Sequence, residues 1–184
     1  MTIPTFQTSR LILRGIELSD APSYQKNFAN YDVIQYLSSR VPWPYPENGV
    51  ELFIKDFVLP NQGKTRWSWG IFLSEQPEEV IGVIEIFNPG IPEHRGFWLS
   101  KDHWGKGLMS EAIAPVMNFA YTTLGMESLI LSNAVENTRS RRVKERSGAT
   151  FLYTRPASFS NPQYTHSEYW QLTREVWLST GPSI

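Results

Sequence analysis

The hydrophobic period of this chain changes along its length, and that change limits the folds open to it. A helix is expected from the Ser19-Asp20 cap to about Asn30, and a second over 47–58, with Val50, Phe53, Ile54 and Phe57 at helical spacing. Between them, Val41-Pro42-Trp43-Pro44-Tyr45-Pro46 reads as a stiff aromatic loop, because three prolines fix φ and remove donors. Pro60 and Gly63 are expected to stop the second helix. Residues 8–16, 66–73, 80–87 and 94–100 read as strands, with turns at Gln76-Pro77 and Asn88-Pro89-Gly90. A long helix is expected over 107–124, its apolar face formed by Ile113, Val116, Met117, Ala120 and Leu124. A strand over 129–135, a short helix over 138–147 capped by Gly148, and strands over 149–154 and 168–173 complete the order. This order predicts an α/β or α+β domain built on one mixed sheet.

The chain has 184 residues, which favours a single domain over 1–184. A hydrophobic fraction of 41% and an aromatic fraction of 14% suit a packed globule. Basic and acidic residues nearly balance, 17 against 18, so no direct nucleic-acid binding is expected. Purely apolar runs are short, such as Leu11-Ile12-Leu13, so neither a membrane span nor a signal peptide is expected. The chain has no cysteine, which excludes disulfides, thiolate metal sites and a cysteine nucleophile, and suits a cytoplasmic protein. His94, His103 and His166 do not pair at ligand spacing, so no metal is expected.

Two segments carry chemistry. In the first, Phe97-Trp98-Leu99-Ser100 leads to Trp104-Gly105-Lys106-Gly107-Leu108-Met109-Ser110-Glu111-Ala112: a strand, a glycine-bearing turn and a helix start. The glycines let backbone approach a ligand closely, and the free N–H groups of the helix N-terminus suit a diphosphate. Lys106 adds a cation. An ordinary tight turn fits the same residues. Neither the Walker GxxxxGK[ST] loop nor a GxGxxG fingerprint is present. In the second segment, Asn137-Thr138-Arg139-Ser140 opens a short helix, either as its cap or as a ligand contact. That helix carries Arg139, Arg141, Arg142, Lys144 and Arg146 against Glu145. It is either a solvated charged face or an electropositive wall for phosphates, with Arg142 among the candidate cofactor residues.

Together these segments resemble the GNAT superfamily of N-acetyltransferases, in its ribosomal-protein acetyltransferase branch. The family signature [QR]xxGx[GA] is matched at Gly107, with Trp104 and Met109 departing from it. Thr8-Ser9-Arg10-Leu11-Ile12-Leu13-Arg14, Gly96-Phe97-Trp98-Leu99 and the NxxS…G element of Asn137, Ser140 and Gly148 resemble that branch too. The resemblance covers roughly residues 8–173. It implies a central mixed, mostly antiparallel β-sheet flanked by helices on both faces, and acetyl-CoA as cosubstrate. It also implies that amides of Leu99 and Ser100 pair with the pantetheine arm, and that amides from Gly105 through Lys106, Gly107, Leu108 and Met109 to Ser110 hold the pyrophosphate. Asn137 and Ser140 would meet the thioester. The family's tyrosine acid falls near position 144, where this chain has Lys144. The resemblance puts Trp43 and Tyr45 near the acceptor entrance, while Trp67 and Trp69 read as packing residues.

The function this implies is acetyl transfer to a primary amine, either a protein N-terminal α-amine or a small molecule, by a monomer or homodimer. A CoA-binding regulatory module without catalysis is the rival. An amine must lose a proton before it attacks a thioester, so a base is needed. Glu85 and His94 are the candidates on the central strands, with Ser140 the third catalytic candidate. In related sequences a carboxylate often stands at the position of His94.

Overall fold

A computed structural model describes residues 2–89 and 93–180. The chain opens with strands β1 (Phe6–Gln7) and β2 (Leu11–Gly15). A 3-10 turn (Leu18–Asp20) leads into α1 (Ala21–Phe28), and α2 (Tyr31–Ile34) follows. Beyond the proline-bearing loop, α3 (Gly49–Phe53) continues through a π turn (Ile54–Val58) into α4 (Leu59–Asn61). Next come β3 (Arg66–Leu73), β4 (Gly82–Phe87) and β5 (Arg95–Leu99). They are followed by α5 (Leu108–Thr122), β6 (Ser128–Ala134) and α6 (Thr138–Arg146). The last elements are β7 (Thr150–Pro156), β8 (His166–Thr173) and α7 (Arg174–Thr180). The turn expected at Asn88-Pro89-Gly90 lies partly outside the described residues, since Gly90 is not among them.

The α/β class with flanking helices is as expected, but the strands form two sheets rather than one. The first has the order β1-β2-β3-β4-β5 and the second β6-β8-β7. Every pairing within them is antiparallel. The sheets meet at His94. Its amide donates to the Ile130 carbonyl at 2.8 Å, and the Ile130 amide donates back to His94 Nδ1 at 2.9 Å.

Alternation along the strands of the first sheet builds a core on each face. Leu11, Leu13, Trp69, Ile71, Ile84 and Ile86 pack with Ala112, Ile113, Val116 and Ala120 of α5. Phe72, Val83 and Trp98 point the other way, onto Tyr24 and Phe28 of α1, Val50 of α3 and Ile54. Each Leu, Ile, Val or Phe among them, fully buried, contributes about 1.5–3 kcal/mol. The seat of α5, and with it the position of its N-terminus, follows from the first core.

Three local expectations are corrected. Phe57 is 60% exposed, and Val58 takes the inward position with Val50 and Ile54. The wider π turn moves the apolar stripe along by one residue. Pro60 does not stop the helix at once: the helix runs on from the π turn to Asn61, one residue beyond the proline, and Gly63 follows with φ of 73°. Asp20 does not cap α1 with its side chain. Its carboxylate accepts from the Glu17 amide at 2.8 Å and from both terminal nitrogens of Arg14 at 2.9 and 2.7 Å.

Among the described residues no helix is long and apolar enough to cross a membrane. None of their His, Asp and Glu side chains form a group of three or more able to hold a metal.

Candidate active site

After β5 the chain turns through a short 3-10 segment (Lys101–His103), and Trp104 folds back so that its indole N–H donates to the Leu99 carbonyl at 2.7 Å. Gly105 and Gly107 both have φ of 74°, the left-handed region that L side chains avoid, and Gly107 is the N-cap of α5. A Cβ built on Gly105 meets nothing within 4 Å, and one on Gly107 meets only Arg10 Nη2 at 3.6 Å. Conformation, not crowding, demands glycine here, and the space beside this backbone is open.

The facing wall is α6. Asn137 Oδ1 accepts from the Ser140 amide at 3.1 Å, which caps the helix. The helical period then sorts the five basic side chains. Arg139, Arg142 and Arg146, at i, i+3 and i+7, line a cavity of about 340 Å³ together with Leu99, Trp104 and the turn at Gly105 and Gly107. Leu108, Met109, Ser110, Asn137 and Ser140 line it as well. The Arg139 guanidinium lies over the Trp104 ring at 3.9 Å and the Tyr36 ring at 5.6 Å. Arg141 instead turns to Glu168 on β8. Lys144 is 1% exposed and donates to Ser140 Oγ at 2.8 Å. The helix is therefore neither a uniform solvated face nor a uniform basic wall: its basic side chains meet three different environments.

A second cavity, of about 920 Å³, lies on the other side of Ser140 and shares Tyr36, Leu37, Phe97, Asn137 and Ser140 with the first. Phe57, Phe87, Phe159 and Tyr169 give it aromatic walls, and Glu93, Arg95 and Lys144 give it charge. Glu93 accepts a hydrogen bond from the Ser132 hydroxyl of β6. Burial pushes its carboxyl above the usual range, against the pull of Lys144. Burial and the nearby Arg95 push the Lys144 ammonium well below the ordinary lysine value, with Glu93 and Glu168 opposing.

Several expected site residues take other positions. Ser100 and Lys106 do not line the first cavity: the Ser100 amide is committed to the Ile81 carbonyl at 2.8 Å, while the Lys106 carbonyl accepts from Arg10 at 2.9 Å. The peptide groups of Leu99 alternate with those of Ser100 along the strand and face away from β4. Glu85 shares the face of Val83 but lies outside both cavities, where it accepts from the Ser68 hydroxyl and pairs with Arg66 at 3.6 Å. His94 also lies outside both; its Nδ1 is taken by the Ile130 amide, and burial lowers its pKa. Trp43 and Tyr45 line neither cavity. Tyr45 is drawn into the second core, edge-on to Phe28 at 5.0 Å, and Trp43 rests 5.3 Å from Tyr31. The lining comes from Tyr36 and Leu37, just after α2, and from Glu93, which the sequence pattern does not single out beside its neighbour His94. The one signal for Glu93 in the sequence is a carboxylate one residue from the expected base.

The fold and site are those of an acyl-CoA-dependent transferase: a pair of sheets joined at His94 and Ile130, an open glycine turn capping a core helix, and an arginine-lined wall opposite. The comparisons agree. A family model, the acetyltransferase (GNAT) domain, matches residues 10–150. The uncharacterized N-acetyltransferase p20 of Bacillus licheniformis is 30% identical over 142 residues, covering 74% of this chain and 76% of that protein. The uncharacterized N-acetyltransferase YoaA of Bacillus subtilis (strain 168) is 29% identical over 144 residues, covering 76% and 79%. Among solved structures, the ribosomal-protein-S5-alanine acetyltransferase of Vibrio fischeri has a TM-score of 0.78 at 15% identity, covering 95% of this chain and 98% of that one. RimL, a ribosomal L7/L12 alpha-N-protein acetyltransferase solved with coenzyme A, has a TM-score of 0.75 at 17% identity, covering 96% and 99%. The chain belongs to the GNAT family and is an acetyl-CoA-dependent N-acetyltransferase. The residues fit that cosubstrate. The backbone at Gly105 and Gly107 has open space where a phosphate would sit, and the three cavity-facing arginines of α6 would supply its countercharge.

Proposed function

We propose that this chain acetylates the N-terminal α-amine of a protein by direct attack on acetyl-CoA, with Glu93 as base and Ser140 beside the leaving sulfur. The observation that carries this reading is the meeting of the two cavities at Ser140, with Glu93 in the larger one. In this reading the amides of residues 105–110 and the arginines at 139, 142 and 146 hold the cofactor phosphates, and the Leu99 backbone meets the pantetheine arm. The acceptor enters the larger cavity. An α-amine has a pKa of about 7.7–8.0, so a carboxylate with a raised pKa can take its proton near neutrality. The chain has no cysteine, which removes a thiol acyl-enzyme and leaves direct attack as the simpler route.

Support for a protein acceptor comes from the size of the cavity, about 920 Å³ between aromatic walls, which is room for more than an isolated amine. Two structural neighbours act on ribosomal proteins by their names. The test is a panel of N-terminal peptides, polyamines, aminoglycosides and free amino acids, read by release of free CoA. Peptides are expected to give the highest kcat/KM. Turnover confined to small amines would overturn the acceptor and leave the chemistry standing.

A further inference from the structure

Lys144 is the charged side chain whose place the cofactor site does not explain. It stands on a helix with four arginines, yet it alone of the five basic residues is buried, at 1% exposure. Burying an ammonium is expensive unless it is paired and hydrogen-bonded. Its bonds go to one residue, the Ser140 carbonyl at 3.4 Å and the Ser140 hydroxyl at 2.8 Å. The i, i+4 spacing on α6 sets this pair. Because Nζ donates to Oγ, the Ser140 hydroxyl hydrogen is free to point elsewhere. Ser140 is 7% exposed and lines both cavities, whereas Lys144 lines only the acceptor side. The ammonium therefore reaches the meeting point of the cavities only through the serine.

Resting on the acetyltransferase reading above, we infer that Lys144 and Ser140 form a relay that delivers the proton needed by the departing CoA sulfur. The amine nitrogen, having given one proton to Glu93, forms a C–N bond to the acetyl carbon as the C–S bond breaks. The sulfur takes the electron pair of that bond and the proton of the Ser140 hydroxyl. Ser140 recovers a proton from Lys144, which is left as a neutral amine. The nitrogen's second proton passes to solvent, and Lys144 is reprotonated from solvent or from Glu93. The sum is one amide, one thiol and one released proton per ammonium consumed. Lys144 is thus a positioning residue acting through Ser140.

The charged groups around Lys144 set when this works. Arg95 of β5 repels the ammonium, while Glu93 before β5 and Glu168 of β8 attract it. Glu168 is itself held by Arg141 and Asn133. Burial and Arg95 prevail, so the relay loses its proton as pH rises through a value below that of an ordinary lysine.

The experiment compares the full-length parent, Lys144→Met and the double variant Lys144→Met with Ser140→Ala. Methionine keeps the length and packing of the lysine stem. The readout is kcat for acetyl-CoA and the best acceptor, from about pH 6 to pH 10. The parent is expected to lose kcat on the alkaline side. Lys144→Met should fall about 100-fold near neutrality, lose the descending limb, and change its KM for acetyl-CoA far less; the double variant should be no worse. A second readout needs no substrate. A lysine with a lowered folded pKa makes stability rise with pH between that pKa and the ordinary one, since the unfolded state binds more protons there. Urea denaturation should show that rise in the parent and not in Lys144→Met. A variant with unchanged kcat, or with the parent's pH profile scaled down evenly, overturns the relay and leaves a structural lysine. So does a parent whose stability shows no such rise. A parent without turnover on any amine overturns the acetyltransferase reading and the relay together, whereas parallel profiles in an active parent overturn the relay alone.

Discussion

Glu111, in the first turn of α5, holds Arg10 by three contacts: its carboxylate accepts from the Arg10 amide at 2.9 Å and from Nε at 2.7 Å, and pairs with Nη2 at 2.7 Å. Thr8 and Ser9 hydroxyls donate to the same carboxylate at 2.6 and 3.0 Å. A segment a hundred residues earlier in the chain is thereby fastened to the helix N-terminus at the glycine turn. Arg10 Nη1 also reaches the Lys106 carbonyl at 2.9 Å. The clasp neutralises an acid that would otherwise stand bare beside the glycine turn, and it places the Arg10 cation within 3.6 Å of a Cβ built at Gly107.

Replacing Glu111 by glutamine is predicted to cost about 1.5–3 kcal/mol, the range for hydrogen bonds to a charged group, with the exposed Arg10 end adding little. Burial raises the Glu111 carboxyl, but the bonds from Thr8, Arg10 and Ser9 outweigh it and hold its pKa below the usual value. Its stabilisation is therefore present above the ordinary carboxylate range and lost as pH falls through the lowered value. Urea denaturation of parent and Glu111→Gln should show a gap at neutral pH that narrows on acidification. A gap that is constant with pH would mean that the charge is not what the clasp uses.

Gly107→Asp is predicted to abolish CoA binding and leave the protein folded. The position has room, since only Arg10 Nη2 comes within 4 Å of a Cβ there. Left-handed backbone costs a non-glycine residue about 1–2 kcal/mol, which most domains survive. The new carboxylate would face the pyrophosphate and repel it. Calorimetry with CoA is the check, and an unchanged Kd moves the phosphates elsewhere.

Much of this fold is legible in the amino-acid sequence, wherever local physics decides it. The strand over residues 66–73 and the long apolar stripe of α5 appear in place. Gly148 ends α6 with φ of 80°, as its position implies. What is not legible depends on distant partners. The two-residue β1 and four-residue α2 are too short to show a period, yet Tyr36 and Leu37 after α2 line both cavities. The two separate sheets meet through a pair of bonds between His94 and Ile130, which no local pattern encodes. The same pair removes His94 from the cavities and leaves Glu93 facing in. Lys144 reads as one more surface cation until α6 is seen packed across the sheets, with its fourth-residue partner Ser140 at the junction.

Glu93→Gln is predicted to remove the acid-side limb of the rate profile. A base works deprotonated, and burial raises this carboxyl above its ordinary value, so parent activity should fall as pH drops through that raised value. The amide cannot take the proton, and kcat/KM should drop about 100-fold or more at neutrality. Glu85→Gln and His94→Gln serve as comparisons, because both residues lie outside the cavities. A profile that keeps its limb in Glu93→Gln, and loses it in either of the others, returns the base to the central strands.

Asn137→Ala and Ser140→Ala are predicted to fail in different ways, although the two residues share one hydrogen bond. The bond runs from the Ser140 backbone amide to Asn137 Oδ1 at 3.1 Å, so the cap belongs to the asparagine side chain. Removing that side chain should lower stability by about 0.5–2 kcal/mol, the ordinary cost of a lost N-cap. Ser140→Ala keeps the amide and hence the cap. What it removes is the hydroxyl at the junction of the two cavities, which also accepts from Lys144 at 2.8 Å. The lysine is left with the Ser140 carbonyl at 3.4 Å, so some stability is lost as well. Melting temperature alone therefore does not separate the two variants, and kcat at saturating acetyl-CoA and acceptor does. A group that acts on the leaving sulfur lowers kcat without raising KM in proportion. Ser140→Ala should lose about 100-fold in kcat, as Lys144→Met does, while still binding CoA. If its kcat matches the parent's once the protein is folded, the serine is a helix residue with a buried lysine for a neighbour, and the chemistry at the junction belongs to another group.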